Sequence, residues 1–362
     1  MNEPTNITEE VKENKKIDIL SLLPDELVSL VESYGQPKYR ASQIFSPIMQ
    51  GTHPSEISNL PKTLREKLSD DCEWRLPAVE QKLTSKIDGT VKYLFRLLDG
   101  ECIESVLMRY KHGNTLCISS QVGCRMGCAF CASTIGGRVR NLTPSEMLGQ
   151  IIAAQLDTGE RVSNIVMMGI GEPLDNYENV KKFLLLVNCE GGLNIGYRHI
   201  SLSTCGLADK IRELAREEFP ITLSISLHES DDGRRSQIMP VNKKYPLDAL
   251  LSACVYYYNT TKRRISFEYT LISGKNDSIE NAKSLSQLLK KYFDGTGAPL
   301  HVNLIRVNEV EGTGFSRGSR DSVQAFADYL CSHGVVATVR RRLGSDVNAA
   351  CGQLRRKSRN KT

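Results

Sequence analysis

The amino-acid sequence predicts an α/β fold, a partial (β/α)6-type barrel with a small N-terminal helical accessory domain and extra β-strands. Three patterns support this prediction. Helical spacing of apolar residues fills the first part of the chain, short alternating stretches follow, and strand-like and helical segments then alternate. Strands that alternate with helices form right-handed crossover units around a parallel sheet. The 362 residues are long for one ordinary domain and short for three.

The N-terminal region divides into two parts. Residues 1–15 are polar and charged, which predicts a disordered tail. Residues 16–80 form the predicted helical accessory domain, in which helices begin near Pro24, Lys38 and Pro61. Basic residues on such a domain could bind nucleic acid, or the domain could only pack on its neighbour. Helical periodicity does not decide between these roles.

A β extension is predicted for residues 81–110. Segments 91–96 and 104–108 have the composition of strands, and Asp99-Gly100 between them is typical of a turn. These strands precede the alternating part of the chain, so we expect them to be an addition to the barrel.

The barrel itself is predicted for residues 111–345, and a C-terminal loop with a basic tail for residues 346–362. Active sites of such barrels gather where the strands end, so polar residues after each strand are the first candidates for a functional site. The predicted strands are residues 116–119, 164–168, 200–203, 222–227, 265–271, 302–307 and 335–339, and predicted helices include residues 144–156, 247–258 and 279–292.

Three cysteines after the first barrel strand are the most informative feature of the chain. Cys124, Cys128 and Cys131 lie in the segment Cys-Arg-Met-Gly-Cys-Ala-Phe-Cys. Three thiolates on one short loop can each bind one iron of a cubane cluster, which leaves the fourth iron open to a small molecule. The alternatives are a zinc loop, or a redox cluster with a distant fourth cysteine.

Composition limits the class of protein. Eleven cysteines are many for an intracellular protein, but the length and ordinary core composition do not fit a secreted disulfide scaffold. No apolar run reaches the roughly eighteen residues of a membrane span, and the N-terminus lacks the pattern of a signal peptide. We therefore expect a cytoplasmic protein without membrane contact. The net charge is only +5, but basic residues gather near the C-terminus, where they could follow a phosphate backbone or form a solvated tail.

Polar groups follow several of the predicted strands. Gly169-Ile-Gly-Glu172-Pro is a glycine-rich turn in which Glu172 could hold a ligand ammonium group. Ser203 offers a hydroxyl, His228 follows Ser226-Leu227, and Asn308 follows the sixth strand. A lone histidine is more often structural than functional. We expect these groups to converge at one end of the sheet.

Two further cysteines stand apart from the triplet. Cys117 lies inside the first barrel strand, where a core position is the simpler interpretation. Cys351 lies in the terminal segment Ala-Ala-Cys-Gly-Gln, where it could be a reactive thiol or only an exposed one.

These motifs, in this order, resemble those of the radical S-adenosylmethionine RNA methyltransferases of the RlmN type, which modify carbon 2 of adenine. The resemblance covers about residues 36–354. Its motifs are Ser-Gln-Val-Gly-Cys at 120–124, Cys-Ala-Ser-Thr-Ile-Gly-Gly at 131–137, Arg-Asn-Leu-Thr at 140–143, Gly-Ile-Gly-Glu-Pro-Leu at 169–174, Ser-Leu-His at 226–228, Val-Glu-Gly-Thr-Gly at 310–314 and Ala-Ala-Cys-Gly-Gln-Leu at 349–354.

The resemblance implies a role for each candidate residue. Cys351 would carry the methyl group, Cys117 would be its partner in catalysis, and Glu104 would accept a proton, although a strand glutamate is usually solvated or ion-paired. The [4Fe-4S] cluster would be held by Cys124, Cys128 and Cys131. S-adenosylmethionine would be bound by Gly171, Glu172, Ser203, Ser226, Leu227, His228 and Asn308.

The implied reaction explains why such a site is needed. Adenine carbon 2 is electron-poor and does not attack a methyl sulfonium, but a carbon radical can add to it. Two molecules of S-adenosylmethionine per turnover would methylate Cys351 and then generate the radical. A covalent protein–RNA intermediate would form, and its release would leave a Cys117–Cys351 disulfide.

The resemblance also implies partners. The substrates would be 23S rRNA and tRNA, at adenosine 2503 and adenosine 37. An electron donor such as flavodoxin or ferredoxin would serve a chain that acts as a monomer. Three alternatives stay open: a Cfr-type adenine carbon-8 methyltransferase that confers antibiotic resistance, a non-catalytic iron–sulfur RNA-binding protein, and a structural zinc module.

Overall fold

The computed structural model describes residues 16–308, 314–347 and 354. The tail predicted for residues 1–15 lies outside this part of the chain. The described strands are β1 (Ile17–Asp18), β2 (Cys72–Glu73), β3 (Ala78–Thr84), β4 (Val91–Arg96), β5 (Cys102–Tyr110), β6 (Gly113–Cys117), β7 (Gln121–Gly123), β8 (Arg138–Asn141), β9 (Val162–Met167), β10 (Ile200–Thr204), β11 (Thr222–Ser226), β12 (Ile265–Leu271), β13 (His301–Arg306) and β14 (Val336–Val339).

The described helices surround this sheet framework. They are α1 (Pro24–Ser33), α2 (Tyr39–Met49), α3 (Lys62–Asp71), α4 (Pro144–Thr158), α5 (Tyr177–Asn188), α6 (Ala208–Leu214), α7 (Asp232–Ile238), α8 (Leu247–Thr261), α9 (Ile279–Phe293) and α10 (Arg320–Ser332). None of these described helices is both long enough and apolar enough to cross a bilayer.

The main sheet has ten strands in the described residues, in the order β14-β13-β12-β11-β10-β9-β6-β5-β4-β3. Strands β6 and β9 to β14 pair in parallel. Helices follow each of these strands up to β13, while β3 to β5 extend the β6 side as antiparallel strands. Since β14 and β3 lie at opposite edges, the barrel is open. The predicted partial (β/α)6-type barrel with extra strands is confirmed.

Local sequence signals fix the ends of α4, the helix that follows the cysteine segment. The Thr143 hydroxyl accepts the Glu146 N–H at 3.2 Å, and the Glu146 carboxylate accepts the Thr143 N–H at 3.0 Å. This reciprocal cap satisfies two of the free N–H groups at the helix start, and Pro144 suits the first helical position. Gly159 ends the helix with φ of +69°, a conformation that favours glycine.

The strand β12 shows how the two faces of the sheet differ. Its aromatic side chains face the outer helices: the Phe267 and Phe293 ring centroids are 5.7 Å apart, and those of Tyr269 and Phe326 are 5.4 Å apart. Glu268 alternates with them and points to the opposite, concave face. Every residue of β12 is buried, so the concave face is an interior of the molecule.

Polar side chains line that concave face. The Ser201 and Ser224 hydroxyls lie 3.0 Å apart. The Asn303 side-chain amide donates to the Glu268 carboxylate at 2.7 Å. The Thr338 hydroxyl donates to the Asn303 side-chain oxygen, Oδ1, at 3.2 Å. An interior lined by satisfied polar groups can hold a polar ligand, which an apolar barrel interior could not.

The N-terminal helical region packs on the barrel. The carboxylate of Asp18 accepts hydrogen bonds from the Ser21 hydroxyl at 2.7 Å and from the Ser145 hydroxyl, in the first turn of α4, at 2.6 Å. Glu26 pairs with Lys182 of α5 at 2.7 Å. The short parallel pair of β1 and β2 in this region was not predicted, because two residues show no alternation that could signal a strand.

We predict that Asp18→Ala loosens this region from the barrel. The substitution leaves two serine hydroxyls without their shared acceptor, which costs about 1–3 kcal/mol. The free energy of unfolding in urea should fall by that amount, whereas Glu56→Ala, a change at an exposed position, should leave it unchanged. Equal unfolding midpoints for the two variants would contradict this role of Asp18.

Candidate active site

The cysteine segment is a closed loop between β7 and β8, which pair as a hairpin. The Cys124 N–H donates to the Gly137 carbonyl at 3.1 Å, which closes the base of the loop. The Cys131 N–H donates to the Cys128 carbonyl at 3.0 Å, which forms a tight turn between the second and third cysteines. Gly127, with φ of +71°, allows the chain to turn back before Cys128.

One buried carboxylate anchors this loop to the turn after β9. Asp175, whose side chain is only 5% exposed, accepts hydrogen bonds from Gln121 and from Arg138, each at 3.0 Å. Arg125, the residue after the first cysteine, donates to the same carboxylate at 3.0 Å. Because charge-assisted hydrogen bonds are the stronger ones, the loop is held in one position before any cofactor binds.

The three thiols fit a cluster of several irons. Burial raises the pKa of Cys124 to about 12, and the neighbouring Cys131 adds to this shift. Burial and the other two thiols also raise the pKa of Cys128. Thiolates that disfavour one another need cations to compensate them, and iron supplies these. In residues 16–308 and 314–347, no three cysteine, histidine or acidic side chains converge on one ion. A cubane takes one thiolate per iron, so the set fits it better than a single zinc.

The glycines of the turn after β9 allow a close crossing of two backbone segments. A Cβ atom on Gly169 would lie 2.5 Å from the Ile118 carbonyl oxygen. Gly171 has φ of +112°, and its Cβ would lie 2.7 Å from the Gln121 nitrogen. The Ile170 carbonyl accepts the Gln121 N–H at 3.1 Å. The glycines are therefore required by contact with the protein's own chain.

Glu172, the next residue, is a buried carboxylate without a cation. It is 4% exposed and accepts the Cys205 N–H at 2.7 Å and the Leu174 N–H at 3.1 Å. Burial raises its pKa. In the described chain no lysine or arginine forms an ion pair with it. A buried carboxylate in this state is a binding group for an ammonium ion.

His228 lies beside the cysteine loop in a fixed orientation. Its Nδ1 accepts the Thr270 N–H at 3.0 Å, and burial lowers its pKa to about 3, so the ring is neutral and its proton is on Nε2. Phe130, between the second and third cysteines, meets the His228 ring edge to face with centroids 4.9 Å apart. His228 therefore has a structural role, as the acceptor of the Thr270 N–H, and its Nε2–H remains for the predicted contact with the cofactor.

The other residues predicted to contact the cofactor differ from one another in burial and in position. Ser203 and Ser226 are half-buried near the ends of β10 and β11. The Leu227 side chain is fully buried in the hydrophobic core, so only its backbone remains to meet a ligand. Asn308 lines a separate cavity next to this group.

That cavity, of about 230 Å³, contains two of the predicted catalytic residues. Cys117, at the end of β6, and Glu104, on β5, both line it. Burial raises the pKa of Cys117, and the nearby Arg340 guanidinium opposes the shift. The cavity is also lined by five arginines: Arg306, Arg317, Arg340, Arg341 and Arg342.

Glu104 forms a buried ion pair within the cavity wall. The Lys92 Nζ lies 3.0 Å from its carboxylate, and the side chains are 0% and 2% exposed. The sequence interpretation of Glu104 as an ion-paired residue is therefore correct, and its placement beside Cys117 leaves the proton-acceptor role as a prediction.

Several charged residues of this region were not predicted from the sequence. Lys92 lies among apolar residues of β4, a signal that could have marked it as a buried partner for an acid. Arg340 belongs to the basic residues near the C-terminus, yet it reaches the cavity. Arg235, whose side chain is fully buried, carried no signal in the sequence.

Cys351 lies outside the described residues, so the structure gives it no position. Among the described residues, no two cysteines are joined by a disulfide. The disulfide between Cys117 and Cys351 therefore stays a prediction.

Comparisons with known proteins identify the family to which the chain belongs. The model of the radical SAM superfamily matches residues 118–285, which include the cysteine loop, Glu172 and His228. A protein named probable dual-specificity RNA methyltransferase RlmN from Clostridium botulinum (strain Eklund 17B / Type B) is 54% identical over 340 residues, covering 94% of this chain and 96% of that protein. A protein of the same name from Alkaliphilus oremlandii (strain OhILAs) is 51% identical over 344 residues, covering 95% and 98%.

A solved structure agrees as well. The crystal structure of a radical SAM methyltransferase from Sphaerobacter thermophilus superposes with a TM-score of 0.87 at 40% sequence identity. It covers 93% of this chain and 98% of that chain. The chain therefore belongs to the RlmN family of dual-specificity RNA methyltransferases, which are radical SAM enzymes.

Proposed function

We propose that this enzyme methylates carbon 2 of adenine at adenosine 2503 of 23S rRNA and adenosine 37 of tRNA. The observation that carries the proposal is the shared cavity: a thiol, Cys117, and a carboxylate, Glu104, line it together with five arginines. Arginines bind the phosphates of RNA, and a target base must leave its stack to reach such a cavity. Gly169, in the turn that precedes Glu172, lines the same cavity.

The cofactor assignments follow from the donor groups. Cys124, Cys128 and Cys131 hold the [4Fe-4S] cluster, and Glu172 binds the ammonium group of S-adenosylmethionine. When bound, these cofactors supply a carbon radical, the species that an electron-poor adenine accepts. Further contacts to S-adenosylmethionine come from Gly171, Ser203, Ser226, Leu227, His228 and Asn308.

Two cysteines act in successive steps of the methyl transfer. Cys351 carries the one-carbon unit on its sulfur and joins it to the base, so that two molecules of S-adenosylmethionine are used per turnover. To release the product, the Cys117 sulfur attacks the Cys351 sulfur. A sulfur–sulfur bond forms, the bond from Cys351 to the transferred carbon breaks, and that carbon takes up a proton.

Glu104 removes the proton from adenine carbon 2 before release. Its support is its place in the cavity wall with Cys117, where the Lys92 Nζ lies 3.0 Å from its carboxylate. The disulfide left on Cys117 and Cys351 needs reduction, which suits a monomer in the reducing cytoplasm with an electron donor such as flavodoxin or ferredoxin.

The proposal is tested by an anaerobic assay with methyl-labelled S-adenosylmethionine and protein-free 23S rRNA fragments or tRNA. Nucleoside mass spectrometry should find the label in 2-methyladenosine. Label in 8-methyladenosine would assign the chain to the carbon-8 alternative. Wild-type protein with an intact cluster and a working reductant that never labels RNA would refute the proposal.

We predict that Glu172→Gln weakens binding of S-adenosylmethionine. The substitution keeps the shape of the side chain but removes the charge that meets the ammonium group, a loss of about 1.5–3 kcal/mol, or roughly tenfold to a hundredfold in Kd. Equilibrium dialysis measures the change. Glu178→Gln, on the exposed side of α5, is the control and should bind as wild type does. Unchanged affinity in Glu172→Gln would remove Glu172 from the site.

We predict that Cys117→Ala stalls the enzyme after transfer to RNA. Without the attacking sulfur, the bond between Cys351 and the transferred carbon is not broken, and a covalent protein–RNA adduct should accumulate. Denaturing gels and mass spectrometry of nuclease-digested protein detect it. Cys331→Ala, at an exposed position in the last turn of α10, should turn over normally. Free product released by Cys117→Ala at the wild-type rate would exclude this role.

A variant cycle separates the structural and chemical roles of Glu104. Lys92→Met alone removes the ammonium that pairs with the buried Glu104 carboxylate and should lower the free energy of unfolding by about 3–5 kcal/mol. Lys92→Met combined with Glu104→Gln removes both charges and should recover most of that stability. We expect the double variant to fold but to retain the carbon-2 proton on its adduct.

The readouts are chemical denaturation and an assay of proton loss from RNA deuterated at adenine carbon 2. If the double variant regains both stability and product formation, Glu104 is only a structural partner of Lys92 and another group accepts the proton.

A further inference from the structure

Arg235, on α7, is a cation in the interior of the protein. Its side chain has no exposed surface and is the largest among the fully buried ones. The position is unusual, because arginine is almost never fully buried unless it is paired with an acid.

Within the described residues the guanidinium donates four hydrogen bonds, all to neutral acceptors. Its Nε donates to the Leu227 carbonyl at 2.9 Å, and Nη2 donates to the Cys205 and Ser226 carbonyls at 2.8 and 3.1 Å. Nη1 donates to the Asn242 side-chain oxygen at 2.7 Å. These bonds brace the ends of β10 and β11, where the proposed cofactor contacts lie.

Within the described residues no ion pair compensates the charge of Arg235. The carboxylate of Asp232, on the same helix, acts on the guanidinium electrostatically without forming an ion pair, and it accepts a hydrogen bond from Asn242 at 2.9 Å. Neutral acceptors satisfy the N–H groups but leave the net charge uncompensated, which is costly in a protein interior. The buried Lys92 and Glu104 show the usual solution, a pair.

The charge of Arg235 faces the cysteine loop. The Ile238 carbonyl, at the end of α7, accepts the Ala129 N–H at 2.9 Å, which ties the loop to this helix. The Arg235 acceptor Leu227 directly precedes His228, and the His228 ring packs against Phe130, between the second and third cysteines, with centroids 4.9 Å apart. The guanidinium therefore lies next to the cysteine loop.

Glu172 and Arg235 are held apart by one residue. The Cys205 N–H donates to Glu172, while the Cys205 carbonyl accepts from Arg235. The Cys205 backbone therefore lies between the Glu172 carboxylate and the Arg235 guanidinium, and the two opposite charges do not pair with each other. The carboxylate is left for a cationic ligand and the guanidinium for an anionic one.

We propose that Arg235 is a positioning residue whose buried charge compensates the anionic iron–sulfur cluster and favours its reduction. This inference rests on the proposed assignment of Cys124, Cys128 and Cys131 as the cluster ligands. A cluster held by three thiolates is negatively charged and becomes more so when it gains one electron from an external reductant. A nearby fixed cation stabilises the more negative state, and no bond or proton of Arg235 changes in the step.

The test is an anaerobic redox titration followed by electron paramagnetic resonance, with iron content measured on each sample. For Arg235→Gln, the equilibrium constant for reduction should fall about tenfold, a midpoint potential about 59 mV more negative for one electron. Arg235→Lys keeps the charge and should stay near wild type. Arg234→Gln is the control, since Arg234 is 46% exposed and pairs with Glu229.

A second variant covers the case in which Arg235→Gln does not load iron. Asp232→Asn combined with Asn242→Asp exchanges an amide and a carboxylate that are already hydrogen-bonded. Net charge is kept, but a carboxylate now meets the guanidinium. We expect the same negative shift in midpoint potential, with iron retained.

The outcomes separate this inference from the proposed function. Wild-type protein that never forms a four-iron cluster would overturn the cysteine assignment. An iron-loaded Arg235→Gln, or an iron-loaded exchange variant, with the wild-type potential would overturn the role of Arg235 alone. A shift in Arg235→Lys as large as that in Arg235→Gln would also overturn it, because lost hydrogen bonds rather than lost charge would then be the cause.

Discussion

The crossing of the segment after β6 with the turn after β9 is the constraint on which the site depends. Gly169 and Gly171 allow it, because any side chain there would collide with Ile118 or Gln121. The Ser120 and Gln121 N–H groups both donate to the Ile170 carbonyl, which locks the two segments together. The first segment continues into the cysteine loop and the second into Glu172. A backbone contact between two neighbouring strands therefore sets where the proposed metal ligands lie relative to the carboxylate proposed to bind the organic cofactor.

Charge is distributed around this crossing in two ways. Lys92 and Glu104 neutralise each other in the wall of the cavity that contains Cys117. Glu172 and Arg235 do not, although both are buried. Unpaired buried charges lower stability, so their retention points to ligands that complete them. In this account the protein keeps one anionic and one cationic position for cofactors of opposite sign, whereas the charges of Lys92 and Glu104 compensate each other.

Local features made the fold and part of the site predictable. The alternation of strands and helices, the spacing of Cys124 and its two partners, and the glycine-rich turn all lie within short segments. The contacts that complete the site join distant parts of the chain. Lys92 meets Glu104 only through the pairing of β4 with β5, and Arg235 meets the ends of β10 and β11 only after α7 folds back. Cys117 looked like a core residue because its neighbours are apolar, and only the sheet geometry shows that it borders a cavity.

The central claim is that the cysteine loop and Glu172 hold one ligand between them. Electron–nuclear double resonance of the reduced, cluster-loaded protein, with S-adenosylmethionine labelled with nitrogen-15 in its amino group, tests this most directly. The account predicts hyperfine coupling of the labelled nitrogen to the cluster, and loss of that coupling in Glu172→Gln at saturating cofactor. An intact reduced cluster with S-adenosylmethionine fully bound and no nitrogen coupling would contradict it.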